Sequence, residues 1–156
     1  MTRIHLATAL ARRDDGCVLL VASRYANHAE PLWTLPGGRQ LAGELLVETV
    51  ARELLEETGL RCTVGKLAYV SESYDGAVHV LNATFCVDLA SYALEPAHAR
   101  DHVTGAAWIC AQELHERIVA AVVRDPLLAY LEGALPQGYA GFHEAGITIQ
   151  WPPDSA

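Results

Sequence analysis

One short pattern between Gly38 and Leu60 constrains this chain more than any other feature of its sequence. Glu44 follows Gly38 after five intervening residues. After seven more comes the run Arg-Glu-Leu-Leu-Glu-Glu-Thr-Gly-Leu, which begins at Arg52 and Glu53. With residue frequencies of several per cent each, the fixed positions match by chance in fewer than about 10⁻⁸ of windows. We therefore treat the pattern as a functional motif.

The second half of the pattern predicts an amphipathic helix over residues 45–58, which contain neither glycine nor proline. At 100° per residue the apolar positions fall on one face, which we expect to be buried. Glu53, Glu56 and Glu57 fall on the other side, so we expect them to face away from that stripe. Gly59 is expected to end the helix in a left-handed turn. The apolar stripe consists of Val47, Val50, Ala51, Leu54 and Thr58.

Three glutamates this close together on one helix, Glu53, Glu56 and Glu57, repel one another. A hard divalent cation such as Mg²⁺ or Mn²⁺ would offset that repulsion, because such ions bind oxygen ligands. The same ion would hold a phosphate substrate and lower the pKa of bound water. The alternative is that these glutamates form a solvated helical face together with Glu48, which is the usual role of a charge run. The complete pattern around them favours the metal site.

The pattern GX5EX7REUXEEXGU, in which U is a bulky aliphatic residue, resembles the Nudix box of the Nudix hydrolase family (MutT-like). The resemblance implies an α+β fold, the Nudix α/β/α sandwich with a mixed central β-sheet. It also implies metal-dependent hydrolysis of a diphosphate bond in a nucleoside diphosphate linked to another moiety. Nucleoside di- or triphosphates, nucleotide sugars and dinucleotides belong to that class of substrate. The expected cofactor is Mg²⁺ or Mn²⁺.

The resemblance further implies roles for single residues of the box. Glu53, Glu56 and Glu57 are expected to bind the metal, and Glu53 is also the candidate catalytic base. Arg52 is expected to orient these glutamates, and at i,i+4 it can pair with Glu56. Glu44 is expected to be either an auxiliary metal-binding or orienting group or a cap at the start of the helix.

Residues 33–38, with the sequence Trp-Thr-Leu-Pro-Gly-Gly, predict a short strand that runs into a turn. Adjacent glycines let the backbone approach a ligand closely. By the resemblance, the carbonyl oxygen of Gly37 is expected to join the metal ligands. Arg24, at the end of an earlier strand, is a candidate phosphate contact.

Candidates for an additional ligand or base lie outside the box. Asp101, in a loop with His98 and His102, matches an acidic residue that many family members carry there. Its alternative is a solvated loop carboxylate. Glu72, on a strand after the box, is a comparable candidate.

The sequence leaves the substrate open. Family members that hydrolyse ADP-ribose often carry a characteristic proline beyond the box, and those that hydrolyse diadenosine polyphosphates carry a tyrosine. Here residues 76–78 are Gly-Ala-Val, and Tyr74 lies too early to match the tyrosine position.

Two other classes of protein remain as alternatives. One is a non-catalytic nucleotide-binding sensor of Nudix fold, although such proteins usually lose box carboxylates. The other is an isopentenyl-diphosphate isomerase-like enzyme, which needs a catalytic cysteine and a modified box.

The whole chain sets broader limits. A length of 156 residues suits one domain, and the net charge of −8 disfavours DNA, long RNA or an anionic membrane as partner. No apolar segment has the length of a membrane helix, and the N-terminus lacks a signal-type core, so we expect a cytoplasmic protein that acts on a small nucleoside diphosphate derivative. Four cysteines without a CxxC motif are expected to be thiols, with two disulfides as the alternative.

Strand and turn patterns organise the rest of the chain. Residues 4–11 and 17–22 predict a hairpin, and residues 66–73 and 78–88 predict a second one around an Asp-Gly turn. Residues 106–110 predict a strand and residues 112–123 a helix. Asp125 and Pro126 are expected to start another helix that Gly133 ends.

We expect residues 1–134 to form the Nudix domain and residues 135–156 a C-terminal extension. Within the extension, its Gly-rich part and residues 147–151 are expected to form an edge strand or a homodimer contact.

Overall fold

The computed structural model describes residues 1–95 and 102–151 of the chain. Its elements follow one another as β1 (Thr2–Leu10), β2 (Val18–Ser23), β3 (Leu32–Thr34), β4 (Gly37–Arg39), α1 (Leu46–Thr58), β5 (Cys62–Asp75), β6 (Val78–Leu89), β7 (Val103–Ile109), α2 (Ala111–Arg117), α3 (Ala121–Leu131) and β8 (Tyr139–Phe142).

The strands form two sheets. The larger has the order β4-β1-β6-β5-β8 and is mixed, because β1–β6 and β5–β8 are parallel while β1–β4 and β5–β6 are antiparallel. The smaller sheet, β3-β2-β7, is antiparallel throughout. The α+β class and the mixed central sheet predicted by the resemblance are therefore confirmed.

Two apolar clusters place the helices on opposite sides of the larger sheet. Ala9 of β1 packs with Leu54 of α1, whereas the next residue, Leu10, packs with Leu114 of α2 and Leu127 of α3. Successive residues of a strand point to opposite faces of its sheet. The helices therefore cover both faces, as in an α/β/α sandwich, and full burial of each large apolar side chain stabilises the fold by about 1.5–3 kcal/mol.

Of the hairpin predicted for the first two strands, only the part next to the turn forms. Gly16 has φ 85°, and the Arg13 amide donates to the Cys17 carbonyl at 2.9 Å. Beyond one bridge between Arg12 and Val18 the strands separate, β1 into the larger sheet and β2 into the smaller. The nine-residue register of β1 with β6 offers more pairing than the local turn does. The second hairpin, β5–β6, is confirmed, with Gly76 at φ 58°.

The helices after β7 also differ from the prediction. The expected helix over residues 112–123 is two helices, because Ile118 and Ala120 take extended conformations that bury both side chains. Pro126 lies inside α3 rather than in its first turn. Gly133 follows the end of α3 with φ 71°, near the predicted position.

The C-terminal extension contributes an edge strand to the larger sheet, as one of the two expected roles required. The edge strand is β8, which pairs in parallel with β5, and residues 147–151 form no strand. No helix in the described parts of the chain is long and apolar enough to cross a membrane.

The expectation of four thiols is wrong for two of the cysteines. Cys17, just before β2, and Cys110, just before α2, form a disulfide, and Cys62 and Cys86 are free. Both disulfide partners flank the β2–β7 pairing, in which Val18 lies opposite Ile109, so the fold itself brings them together.

We expect thiol alkylation of the denatured, unreduced protein to modify two cysteines, and all four after reduction. Reduction is also expected to lower the free energy of unfolding by about 2–4 kcal/mol, because the bridge closes a long loop. Mass spectrometry of the alkylated chain and urea unfolding with and without reductant provide the measurements. Four modified cysteines before reduction would contradict the assignment of the bridge.

Candidate active site

Arg52 is the centre of an ion-pair network on α1. Its Nε and Nη2 donate to the two carboxylate oxygens of Glu44 at 2.6 and 3.0 Å. Its Nη1 donates to Glu53 at 2.7 Å and to Glu56 at 3.3 Å, and its Nη2 also reaches the carbonyl oxygen of Arg39 at 3.1 Å. The i,i+4 pair with Glu56 predicted from the sequence is present, but it is the longest of these contacts.

Glu44 holds Arg52 in place and does not cap the helix. The Arg52 guanidinium is the largest cause that lowers the pKa of Glu44 to about 2, and a hydrogen bond from the Thr49 hydroxyl acts in the same direction. The cap is supplied instead by Glu48, whose carboxylate accepts the Leu45 amide at 2.8 Å. Of the two roles expected for Glu44, the geometry therefore favours the orienting one.

Glu53 and Glu57 are buried, with only 5% and 2% of their surface exposed, whereas Val47 is 39% exposed. The two glutamates are therefore buried although they lie outside the predicted apolar stripe, and the expected burial of Val47 is wrong. The reason is β4, which covers a second side of the helix. The Gly37 amide donates to Glu57 at 2.8 Å, and a Cβ on Gly38 would lie 2.7 Å from the Glu53 carboxyl carbon.

The glycine pair thus permits the contact between β4 and the two carboxylates. Any side chain at Gly38 would displace Glu53, and at Gly37 it would meet the Ala7 carbonyl oxygen at 2.3 Å. Gly59 ends α1 at φ 76°, which confirms the predicted left-handed turn.

The donor chemistry here fits a hard divalent cation. Two buried carboxylates lie against the backbone of a glycine pair, and Mg²⁺ and Mn²⁺ favour oxygen ligands of this kind. Glu56 lies one turn from Arg52 with 32% of its side chain exposed.

A different group of potential ligands is not a metal site. Among the described residues, atoms of Asp15, Cys17 and Cys110 lie within 4.8 Å of one another. The two sulfur atoms are joined in the disulfide, so they are not thiolates that could bind an ion.

A cavity of about 1220 Å³ opens beside the glycine pair. Glu53, Glu57, Gly37, Gly38 and Arg39 line one end of it. This volume exceeds the usual range of about 300–1,000 Å³ for small-molecule sites, so a nucleotide derivative has room in it.

The floor of the cavity is polar because three neighbouring strands present hydroxyl and amide groups on one face. Asn82 of β6 donates to Thr8 at 3.2 Å, to Thr84 at 3.1 Å and to Ser71 at 3.4 Å. The register explains the cluster, since Asn82 lies opposite Ser71 and Thr84 opposite Thr8. The carboxamide offers both a donor and an acceptor to a bound molecule.

Glu72 also lines the cavity, where two side chains contact its carboxylate. The Tyr139 hydroxyl donates to it at 2.5 Å, and His79 Nε2 lies 2.6 Å from its other oxygen. These hydrogen bonds, that of Tyr139 first, lower the pKa of Glu72. Glu72 is therefore held by Tyr139 and His79, and its role as an additional ligand or base stays a prediction.

The remaining sequence candidates are dispersed. Arg24 is exposed and lies outside the cavity lining, so the structure does not support its predicted phosphate contact. His102 lines the cavity, and its carbonyl accepts the Arg24 amide at 2.6 Å. His98 and Asp101 lie outside the described residues.

Sequence reasoning missed two cavity residues. Arg39 follows Gly38 within the box, and a cation beside the box glycine was the available signal. Asn82 is an amide inside the otherwise largely apolar run Val-Leu-Asn-Ala of β6. Such a residue at the middle of a central strand is a candidate for a ligand contact.

Comparison with known proteins agrees with the fold and the box. The NUDIX domain model matches residues 2–131. A protein of Mycobacterium tuberculosis, provisionally named 8-oxo-dGTP diphosphatase 2, is 38% identical over 122 residues, which cover 74% of this chain and 79% of that protein. The phosphatase NudJ of Escherichia coli is 28% identical over 130 residues, which cover 83% and 81% of the two chains.

A solved structure shows the same fold. The MutT protein of Methanosarcina mazei superposes with a TM-score of 0.71 at 23% identity, over 87% of this chain and 95% of that one. The chain belongs to the Nudix family, and its class of activity is that of a Nudix pyrophosphohydrolase.

Proposed function

We propose that this chain hydrolyses a diphosphate bond in a nucleoside di- or triphosphate, or in a related small nucleotide, with Mg²⁺ or Mn²⁺ as cofactor. Glu53, Glu57, Glu56 and the carbonyl oxygen of Gly37 would hold the cation. The observation that carries the proposal is the burial of Glu53 and Glu57 against the glycine pair at one end of the cavity. Two buried carboxylates on one helix carry a large desolvation cost that a cation would offset.

Separate side chains would transfer the proton, orient the base and bind the phosphate. Glu53 accepts the proton of the attacking water as the water oxygen bonds to phosphorus, and the bond from that phosphorus to the bridging oxygen breaks. When bound, the divalent ion neutralises phosphate charge and makes water more acidic. Arg52 donates to Glu53 and so directs its carboxylate. Arg39 supplies a guanidinium at the phosphate end of the cavity.

The base end of the substrate would lie over the polar floor. Asn82 would donate to and accept from the edge of a nucleobase by exchanging its hydrogen bonds to neighbouring side chains, and Ser71 lies beside it. The name of the Mycobacterium tuberculosis relative makes an oxidised purine nucleoside triphosphate the first compound to test.

Two other classes of protein fit less well. A non-catalytic sensor would not need the intact, ordered set of box carboxylates. An isopentenyl-diphosphate isomerase-like enzyme needs a cysteine in the site. Cys17 and Cys110 are joined to each other, and neither Cys62 nor Cys86 is among the residues that line the cavity.

A substrate panel tests the proposal. We expect release of nucleoside monophosphate from at least one nucleoside triphosphate, nucleotide sugar or dinucleotide when Mg²⁺ or Mn²⁺ is present, and none in excess EDTA. Chromatography of the products identifies the bond that is cut. Inactivity on the whole panel with either metal would refute the proposed hydrolysis.

A further inference from the structure

The C-terminal segment of residues 145–151, which we call the tail wall, forms one side of the cavity. Ala145, Ile147, Ile149 and Trp151 line it. None of these residues belongs to a regular strand or helix. Their position therefore depends on hydrogen bonds to other parts of the chain.

Asn27 and Asp75 provide most of that anchoring. The Asn27 carboxamide donates to the Thr148 carbonyl at 2.5 Å and accepts the Gln150 amide at 2.9 Å. His28 Nε2 lies 2.7 Å from the same carbonyl. Asp75 accepts the Ile149 amide at 3.0 Å. Side chains from the loop after β2 and from the end of β5 thus fix successive peptide groups of the tail wall, which gives it a defined position.

Trp151, at the end of the tail wall, contacts Arg39. The Arg39 guanidinium carbon lies 5.6 Å from the centroid of the indole ring, and the Tyr25 ring meets Trp151 edge-on at 6.3 Å. An arginine over the face of tryptophan gains a cation–π attraction, and tryptophan is the best ring for it. The contact fixes the direction of a side chain that would otherwise have many rotamers.

Arg39 connects this contact to the box. Its carbonyl accepts Arg52, and it directly follows Gly38, whose backbone adjoins Glu53. Arg39 therefore contacts the tail wall through its side chain and the box through its backbone.

We propose that Trp151 is a positioning residue that holds Arg39 towards the diphosphate of the substrate, which makes the tail wall part of the active site. This inference rests on the proposed function. A planar guanidinium binds two phosphate oxygens at once only when its plane is correctly oriented, and the indole ring sets that plane. The other role open to Trp151 is stacking on the nucleobase, and the two roles predict different results.

The test compares kinetics for substrates that share the diphosphate and differ in base. Trp151→Leu is expected to lower kcat/KM roughly tenfold, in line with the loss of one partly buried cation–π contact. The loss is expected mainly as a higher KM, because the contact already exists in the free enzyme. The loss in kcat/KM should be equal for purine and pyrimidine substrates, since the diphosphate is common to all of them. Trp151→Phe should recover part of the loss.

A double-mutant cycle isolates the pair. Arg39→Lys keeps the charge without the planar fork, and we expect Trp151→Leu to cost little more in that background. Asn27→Ala, which releases two peptide groups of the tail wall, should reproduce the rise in KM with Trp151 and Arg39 intact. The matched control is Trp108→Phe, because Trp108 forms the same kind of contact with Arg13 outside the cavity.

The outcomes separate the inference from the proposed function. Losses that differ between bases, or losses in the double variant that simply add, would overturn the positioning role. Wild-type kinetics in Trp151→Leu, Trp151→Phe and Asn27→Ala would overturn it as well, while leaving the proposed hydrolysis intact. An inactive wild-type enzyme would instead refute the proposed function. Thermal unfolding of each variant confirms that it is folded.

Discussion

Glu53→Gln is expected to lower kcat by roughly 10²-fold or more, the usual effect of losing a general base. The variant keeps the size of the side chain and its place against Gly38, so the fold should be preserved. What changes is the charge, because an amide neither accepts the proton of the attacking water nor binds a cation as a carboxylate does. The measurement is initial rate against substrate concentration at saturating Mg²⁺.

Glu57→Gln should lower kcat by a similar factor. Its amide oxygen can still accept the Gly37 amide, so that hydrogen bond persists while the charge is lost. Glu48→Gln is the matched control on the same helix. Glu48 is exposed, and its hydrogen bond is to the Leu45 amide at the start of α1. Undiminished kcat in Glu53→Gln and Glu57→Gln would show that these side chains are not the catalytic groups.

Arg52→Met is expected to have the largest effect on stability. Removing the guanidinium leaves Glu44, Glu53 and Glu56 without their common partner. Loss of one partner from a largely buried ion pair costs about 3–5 kcal/mol, and the remaining exposure of these groups places the expected loss nearer 2–3 kcal/mol. Urea unfolding of wild type and variant at neutral pH measures it.

The pH dependence of that loss follows from Glu44. Its pKa in the folded protein is about 2, below the ordinary value of 4.5. A lowered pKa means that the ion pair stabilises the fold fully above the ordinary value, and that this stabilisation is lost as the pH falls towards 2. The difference between wild type and Arg52→Met should therefore be greatest at neutral pH and shrink below pH 4.5. A difference in the free energy of unfolding that stays constant with pH would contradict the role of the Glu44–Arg52 pair.

Added Mg²⁺ should recover part of the stability of Arg52→Met, since it replaces a cation.

Local patterns of the sequence predicted local structure well. The box predicted α1 and its end at Gly59, and the Asp-Gly turn predicted the β5–β6 hairpin. These features depend on helical periodicity, on a left-handed glycine and on a two-strand turn, all of which are set by neighbouring residues.

Features that depend on distant segments were not predictable in the same way. Helical periodicity describes one apolar face, so it could not show that β4 buries Glu53 and Glu57 from another side. The turn at Gly16 could not reveal that β1 finds its longest partner in β6. The place of Trp151 depends on Asn27, 123 residues away from its neighbour Gln150. The shared principle is that contacts distant in sequence decide burial and strand pairing.

Titration of Mn²⁺, followed by electron paramagnetic resonance, measures metal binding directly, because only the free ion gives the strong sharp spectrum. We expect wild-type protein with nucleoside monophosphate to bind Mn²⁺. Glu57→Gln should weaken this binding at least about tenfold, the effect of losing even an outer-shell partner, and Glu48→Gln should leave it unchanged. Equal Mn²⁺ affinity in wild type and Glu57→Gln would contradict the claim that the buried box carboxylates hold the metal.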